Sequence, residues 1–405
     1  MEREVWITGL GANTAAGAGT GPLLELLLAG NSAVHPQSDL GGLPAGRAWD
    51  PPNGPVTRRL DRSAALFFAA AEEAWKDAGL PQDAIALERC GLIEGSCLGP
   101  LGDALTALRA HVAENGRAAA PRPTGLLRFM TGGGGAAFAH THRLRGPVLH
   151  VSAGSVSSSC AISEGLEKIA AGFLDLVVVG GAECPLQQDV IEYFRAAGIL
   201  ASPRNGDPLC CPFDARRSGT VLGEGAGVLV LEAASHAARR GARPRAIVNG
   251  FGLSREVYSM IRPDPAGTGV AEAACAALTG IPREEVGWIK AHGTGTKVND
   301  AAECQGLAAL FGDRLSRTPI SSLKPMLGHC LGASGAVEAV AAILALERGI
   351  IPPTLGTTQI DPGLPGCTVA TRVERSSARR VLILAESFAG RCAAVTVGRV
   401  DLEVR

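Results

Sequence analysis

The sequence predicts an α/β protein of helices layered on a buried sheet, and three observations carry that expectation. Short apolar runs rich in β-branched residues alternate with Ala/Leu-rich amphipathic stretches, which is the pattern of βαβ units. The runs are near-continuously apolar, as strands of a largely buried sheet are. Apolar residues make up 46% of the chain and aromatics only 4%, so the interior is assembled from Ala, Val, Leu and Gly, which suits helices packed closely on a sheet.

In chain order the strand-like runs are VWITGLGA, VLHVSAGS, DLVVVGGAE, AGVLVLEA, WIKAHGTGT and RRVLILAESFAG. Helical stripes fall on residues 63–78, on the stretch after Ser155 with Ile162, Leu166 and Ile169 on one face, and on residues 335–347. Pro/Gly-rich joints near 41–56, 115–124, 203–213 and 352–366 are too short for disordered linkers, so the chain reads as compact. A sheet-and-helix block ends near Glu183 and a second runs from about Arg245, with self-similarity between them too faint to prove duplication.

Composition narrows the function. The 38 basic and 39 acidic residues are interspersed and give a formal net charge of −1, so no nucleic-acid footprint or acidic tail is present. The start MEREVWITGLGA reads as a strand rather than a signal peptide, and no apolar run reaches membrane-spanning length, which points to the cytoplasm. Eleven scattered cysteines, many in apolar settings such as CGLIEGSCLG, imply reduced buried thiols rather than a disulfide framework. No CxxC pair occurs and His140-x-His142 lacks further ligands, so no metal is expected. Gly9-Leu10-Gly11, the glycines at 132–135 and GEGAG at 223–227 each lack the context of a nucleotide fingerprint, and no cofactor is expected.

Three segments place a reactive side chain at a strand-to-turn junction: VSAGSVSSSCA (151–161), KAHGTGTKVNDAAE (290–303) and SSLKPMLGHCLGASGAVE (321–338). In the first, Ser155 falls at a helix N-terminus, as a site favouring negative charge or simply as one of three helix-capping serines. In the second, Gly and Thr after His292 let the backbone approach a ligand or make a tight turn. In the third, Lys324, His329 and Glu338 form either a reactive group or a structural salt bridge.

Taken together, in this order and spacing, the segments resemble the β-ketoacyl-acyl-carrier-protein synthases, the condensing enzymes of fatty-acid and polyketide synthesis in the thiolase superfamily. The resemblance runs from VWITGLGANTAAG and LLAGNSAV through DLVVVGGAE, PFDARRSGTVLGEGAGVLVLE and HGTGTKVNDAAE to LGHCLGASGAVEAV. It implies a thiolase-like, duplicated five-layered α-β-α-β-α fold, usually dimeric, with an N-terminal half over 1–244 and a C-terminal half over 245–405. It further implies an acyl carrier protein as partner and a homodimer, or a heterodimer with a ketosynthase.

By the same resemblance, His292 and His329 are the family's paired histidines, Lys324 and Glu338 its lysine and glutamate, and Glu303 a further acidic position of the site. The family's nucleophilic cysteine falls on Ser155. Cys160 does not replace it, because five residues along a helix rotate a side chain by about 140°. The glycine-rich C-terminal loop becomes Phe388-Ala389-Gly390-Arg391, so the gating phenylalanine position is Gly390 and its partner position is Thr220. Backbone N–H groups of Ser155 and Gly390 are expected to form the oxyanion hole, and Arg59, Arg62 and Arg204 to meet an acidic carrier protein.

Two functions follow as expectations. One is a ketosynthase-like acyltransferase or decarboxylase acting on carrier-bound thioesters in fatty-acid or polyketide biosynthesis. The other is a non-catalytic partner like the chain-length factors, and an acyl-binding protein without a partner is a third, blander reading.

Overall fold

The computed structural model describes residues 3–80, 87–113, 126, 128–202 and 209–400. Its main sheet follows one path of ten strands, which divides into two sets of five. The first set is β1 (Val5–Thr14), β2 (Cys90–Gly95), β3 (Val148–Val151), β4 (Leu176–Glu183) and β5 (Gly225–Ala233). The second is β6 (Ala246–Arg255), β7 (Val286–Lys290), β8 (Ile320–Ser321), β9 (Arg380–Ser387) and β10 (Arg391–Gly398).

The spatial order of the first set is β3-β2-β4-β5-β1 and of the second β8-β7-β9-β10-β6. Counted within each set, both read third, second, fourth, fifth, first. The strand senses agree as well. β2 is parallel to β3 and β4, whereas β5 is antiparallel to β4 and β1. Likewise β7 is parallel to β8 and β9, whereas β10 is antiparallel to β9 and β6. Topology thus displays the repeat that the residues alone leave too faint to see. The sets meet through only two residue pairs, Trp6 with Ile247 and Ile7 with Ala246.

Helices complete the layers. Outside the first set lie α1 (Arg62–Asp77), capped by the Asp61 carboxylate on the Ser63 and Ala64 N–H groups, and α2 (Gly133–Thr141). Between the sets lie α3 (Ser157–Ala170) and α6 (Ser334–Arg348), which contact strands of both. Outside the second set lie α4 (Thr268–Ala277) and α5 (Lys297–Phe311). The result is the five-layered arrangement of a thiolase-like fold. Every residue of α6 from Ser334 to Leu346 is buried, as required of a helix covered on both faces, and this explains its all-round apolar sequence.

All six expected strands and all three expected helices lie where periodicity places them. β2, β6, β8 and β10 had no such reading: β8 is two residues long, and β2 is the CGLIEG stretch noted only for its cysteine. The expectation of reduced thiols needs one correction. Cys304 in α5 and Cys367 in the loop before β9 belong to the same apolar packing and are disulfide-bonded across a Cα–Cα distance of 6.6 Å.

Candidate active site

Three loops leaving the C-terminal ends of parallel strands converge, which is where open α/β sheets place their ligands. β3 leads to Ser155, β7 to His292, and β8 by way of a short helical turn to His329.

Ser155 sits two residues ahead of α3 and is half-buried. It does not cap the helix. Its Oγ lies 3.3 Å from His329 Nε2, and its N–H donates to Ser387 Oγ at 2.9 Å. The neighbouring serines take the structural roles: Ser157 Oγ accepts from the Ala153 N–H at 2.8 Å, and Ser158 Oγ from the Ala336 N–H at 3.0 Å. Gly154 makes the bend possible, since its φ of +67° is left-handed and a Cβ there would stand 2.1 Å from Ser387 Oγ. Cys160 does not stand in Ser155's place: it packs with Val156, Ala385 and Ala393, and burial pushes its thiol up to about 11.

The histidine loop is held by carboxylates. Glu303 on α5 accepts from the His292 N–H at 2.6 Å and the Gly293 N–H at 2.8 Å. Gly293, at φ +49°, packs so tightly that a Cβ would lie 2.6 Å from Ser322 Cβ. The two imidazoles meet edge to face with centroids 5.3 Å apart. His329 is fixed on both sides of its backbone, its N–H donating to the Val221 carbonyl at 2.7 Å and its carbonyl accepting from the Gly223 N–H at 3.0 Å.

Hydrogen-bond partners assign different tasks to the two rings. Lys324 Nζ is 3.3 Å from His292 Nδ1 and also donates to the His292 carbonyl and, at 3.0 Å, to Glu338 Oε1. An ammonium only donates, so His292 Nδ1 accepts and its proton sits on Nε2 as a donor toward the pocket. His329 Nδ1 is 3.0 Å from Ser334 Oγ. Donation there leaves Nε2 a lone pair facing the Ser155 hydroxyl, the arrangement of a general base. Burial, reinforced by the Lys324 charge, holds both imidazoles well below their ordinary pKa, so both are neutral near pH 7.

Sequence reasoning missed Lys290, whose Nζ donates to Glu338 Oε2, so a single carboxylate serves two buried lysines. Burial pulls Lys290 down to about 8 against the attraction of Glu338 and lifts Glu303 to about 7. The signal for Lys290 was available: it is a lone cation ending the apolar strand VGWIK. Ser334 and Ser387 were missed as well, and nothing in their local sequence marks them.

The other expected positions fare unequally. Thr220 is buried one residue before Val221, with no hydrogen-bond partner for Oγ1 among the described residues. Phe388 is about half exposed, and Gly390 is buried at φ +66° beside the Glu256 backbone. Ala389 between them has φ +62°, a left-handed conformation unusual for a residue with a Cβ. As for the expected oxyanion hole, the Ser155 N–H is already engaged by Ser387. Arg59 is exposed on a turn. Arg62 is occupied by the buried Glu224 at 2.9 Å, by Asp50 and by the Ala48 carbonyl, a structural role that leaves it little freedom to meet a partner. Arg204 lies outside the described residues.

The thiolase-like fold and the order of these segments are those of the ketosynthase family, and comparison with known proteins agrees. Residues 2–237 match the family described as beta-ketoacyl synthase, N-terminal domain, and residues 245–358 match its C-terminal domain. The chain belongs to the beta-ketoacyl synthase family. It is 35% identical over 425 residues to the tetracenomycin polyketide synthase ketoacyl synthase alpha subunit of Streptomyces glaucescens, covering 98% of this chain and 97% of that protein. Among solved structures, the ishigamide ketosynthase/chain length factor matches with a TM-score of 0.90 and 30% identity, over 99% of this chain and 100% of that one. A type II polyketide synthase acyl-carrier protein in complex with its ketosynthase bound to the hexaketide matches with a TM-score of 0.88 and 26% identity, over 99% and 100% of the two chains.

Proposed function

We propose that this chain is a ketosynthase-like acyltransferase and decarboxylase acting on acyl-carrier-protein thioesters in polyketide or fatty-acid synthesis, with serine in the nucleophile's place. The observation that carries this reading is the Ser155 Oγ to His329 Nε2 contact of 3.3 Å, set beside a second neutral histidine. Ser155 Oγ attacks the thioester carbonyl and its proton passes to His329 Nε2. As the carbonyl re-forms, the carbon–sulfur bond breaks and the thiolate takes that proton, leaving an ester on Ser155 and a free carrier thiol. In decarboxylation of a malonyl thioester, the bond to the carboxylate breaks, carbon dioxide leaves, and the electron pair flows to the thioester oxygen. The His292 Nε2–H donates to the enolate so formed.

The partner of the reaction is an acyl carrier protein, as in the complex described for one structural relative, and the assembly is a homodimer or a heterodimer with a ketosynthase. No helix among the described residues is long and apolar enough to cross a membrane. The halves meet near residue 244, between the two matched family domains.

One observation favours a second reading, a non-catalytic partner of an active ketosynthase: the Ser155 N–H is occupied by Ser387 Oγ rather than free for an oxyanion. Intact-protein mass spectrometry after incubation with acyl-carrier thioesters separates the two. Acylation of native protein that is lost in Ser155→Ala supports the enzyme. No acylation, alongside a tight complex with a cysteine-containing ketosynthase, supports the partner.

A further inference from the structure

Arg391 opens β10 directly opposite Ser387 on β9 and directly opposite Arg255 on β6. Residues directly opposite in antiparallel strands project from the same face. That face is the one Ser387 uses to reach Ser155, and Arg391 Nη1 stands only 3.7 Å from where a Cβ on Gly154 would be. Both arginines are exposed, and neither side chain has an ion pair or hydrogen bond among the described residues. Glu256, next to Arg255, points to the opposite face, where it accepts from the Asp264 and Gly269 N–H groups, and Glu386 stands opposite Cys392 rather than Arg391.

Like charges directly opposite on adjacent strands repel, and two guanidiniums sharing one face at a reactive centre form a fork suited to a carboxylate. A carboxylate already present in the bound substrate suits the pair better than an oxyanion, which exists only during turnover. The anion has to belong to the acyl group, because the phosphate of a carrier's arm lies at the far end of that arm when the thioester is at Ser155. We propose that Arg391 and Arg255 bind a carboxylate at the distal end of the acyl chain, making this a site for ω-carboxyacyl thioesters such as succinyl and glutaryl. This rests on the acyl-thioester reading of the same site and adds the class of acyl group.

The test measures binding of non-hydrolysable amide analogues of pantetheine thioesters to the full chain, comparing succinyl with butyryl and glutaryl with pentanoyl. The acids are expected to bind about tenfold or more tightly than their neutral partners, as charge-assisted hydrogen bonds allow. Arg391→Leu is expected to bring that ratio close to one, Arg255→Leu to lower it, and Arg391→Lys to retain part of it. Circular dichroism of each variant shows whether it is folded, and Arg255→Leu keeps the question open to decision should Arg391→Leu not fold. Neutral analogues binding as well as the acids, or a ratio unmoved by both leucine variants, overturns the carboxylate site while leaving the acyl-thioester reading intact. Failure of every analogue to bind sinks both. If the pair is instead covered by acidic residues of a second subunit, both leucine variants change the dimer's dissociation constant with no effect on the ratio, which also overturns the proposal.

Discussion

The two halves of this molecule share one strand order but keep their candidate site groups in opposite states. Ser155 follows the third strand of the first half, and the turn leading to His329 follows the third strand of the second, so the pair that touches at 3.3 Å comes from equivalent places in the repeat. The second-half group is buried and closed: Lys290, Lys324, Glu338, Glu303 and both imidazoles are packed, and the lysines and carboxylates find partners in one another and in the backbone. The first-half group is half-buried and open, with its amide satisfied by a side chain and with Arg391, whose side chain has no ion pair among the described residues, close to Gly154. The histidine group is held by buried ionic partners, whereas Ser155 is held by single contacts from His329 and Ser387.

That contrast can be broken most forcefully at its closed end. Glu338→Ala leaves two ammonium groups buried without their shared counter-ion, and removing one partner of a buried pair costs about 3–5 kcal/mol. Chemical denaturation is expected to register that loss, and a loss below about 1 kcal/mol would mean that the cluster is not electrostatically closed.

A smaller effect is read through pH. Glu94 on β2 faces the other way, toward α2, where its Oε2 accepts from the Gly135 N–H at 2.7 Å, and burial pushes its carboxyl up to about 8. A raised acid binds its proton more tightly folded than unfolded. Its contribution is full below the unfolded pKa near 4.5 and is lost as pH rises toward 8. The two histidines, depressed by burial, act in the opposite sense: their contribution is present above about 6.5 and lost as pH falls. Between pH 6.5 and 8, Glu94 is therefore expected to cost about 2 kcal/mol of stability as pH rises. Glu94→Gln is expected to flatten that part of the profile, as read by Tm against pH.

The third effect sharpens the open end. Ser387→Ala frees the Ser155 N–H to meet a developing oxyanion, so self-acylation of Ser155 by acyl thioesters is expected to rise about tenfold. An unchanged rate would show that Ser387 does not hold the hole shut.

Much of this was legible beforehand, for physical reasons that differ by residue. His292 and His329 stand in glycine-rich turns whose close packing leaves few alternatives, so the motif and the geometry carry the same information. The helix after Ser155 and α6 announce themselves by apolar spacing. Ser387 and Ser334 did not, because a serine's role depends on what lies across space, and their partners Ser155 and His329 come from other elements. The repeat was invisible for a related cause: strand order and sense survive when side chains diverge. The facing of Arg255 and Arg391 needed the register of β6 and β10, which no local pattern reveals.

Decarboxylation of a malonyl-carrier thioester by Ser155→Ala and His292→Ala, each compared with native protein, tests the central claim that the two halves do separable work. His292→Ala is expected to lose about 10²–10³-fold, the usual cost of one donor to a developing oxyanion, while Ser155→Ala stays within about threefold because enolate stabilisation needs no covalent ester. Equal losses in the two variants would contradict it.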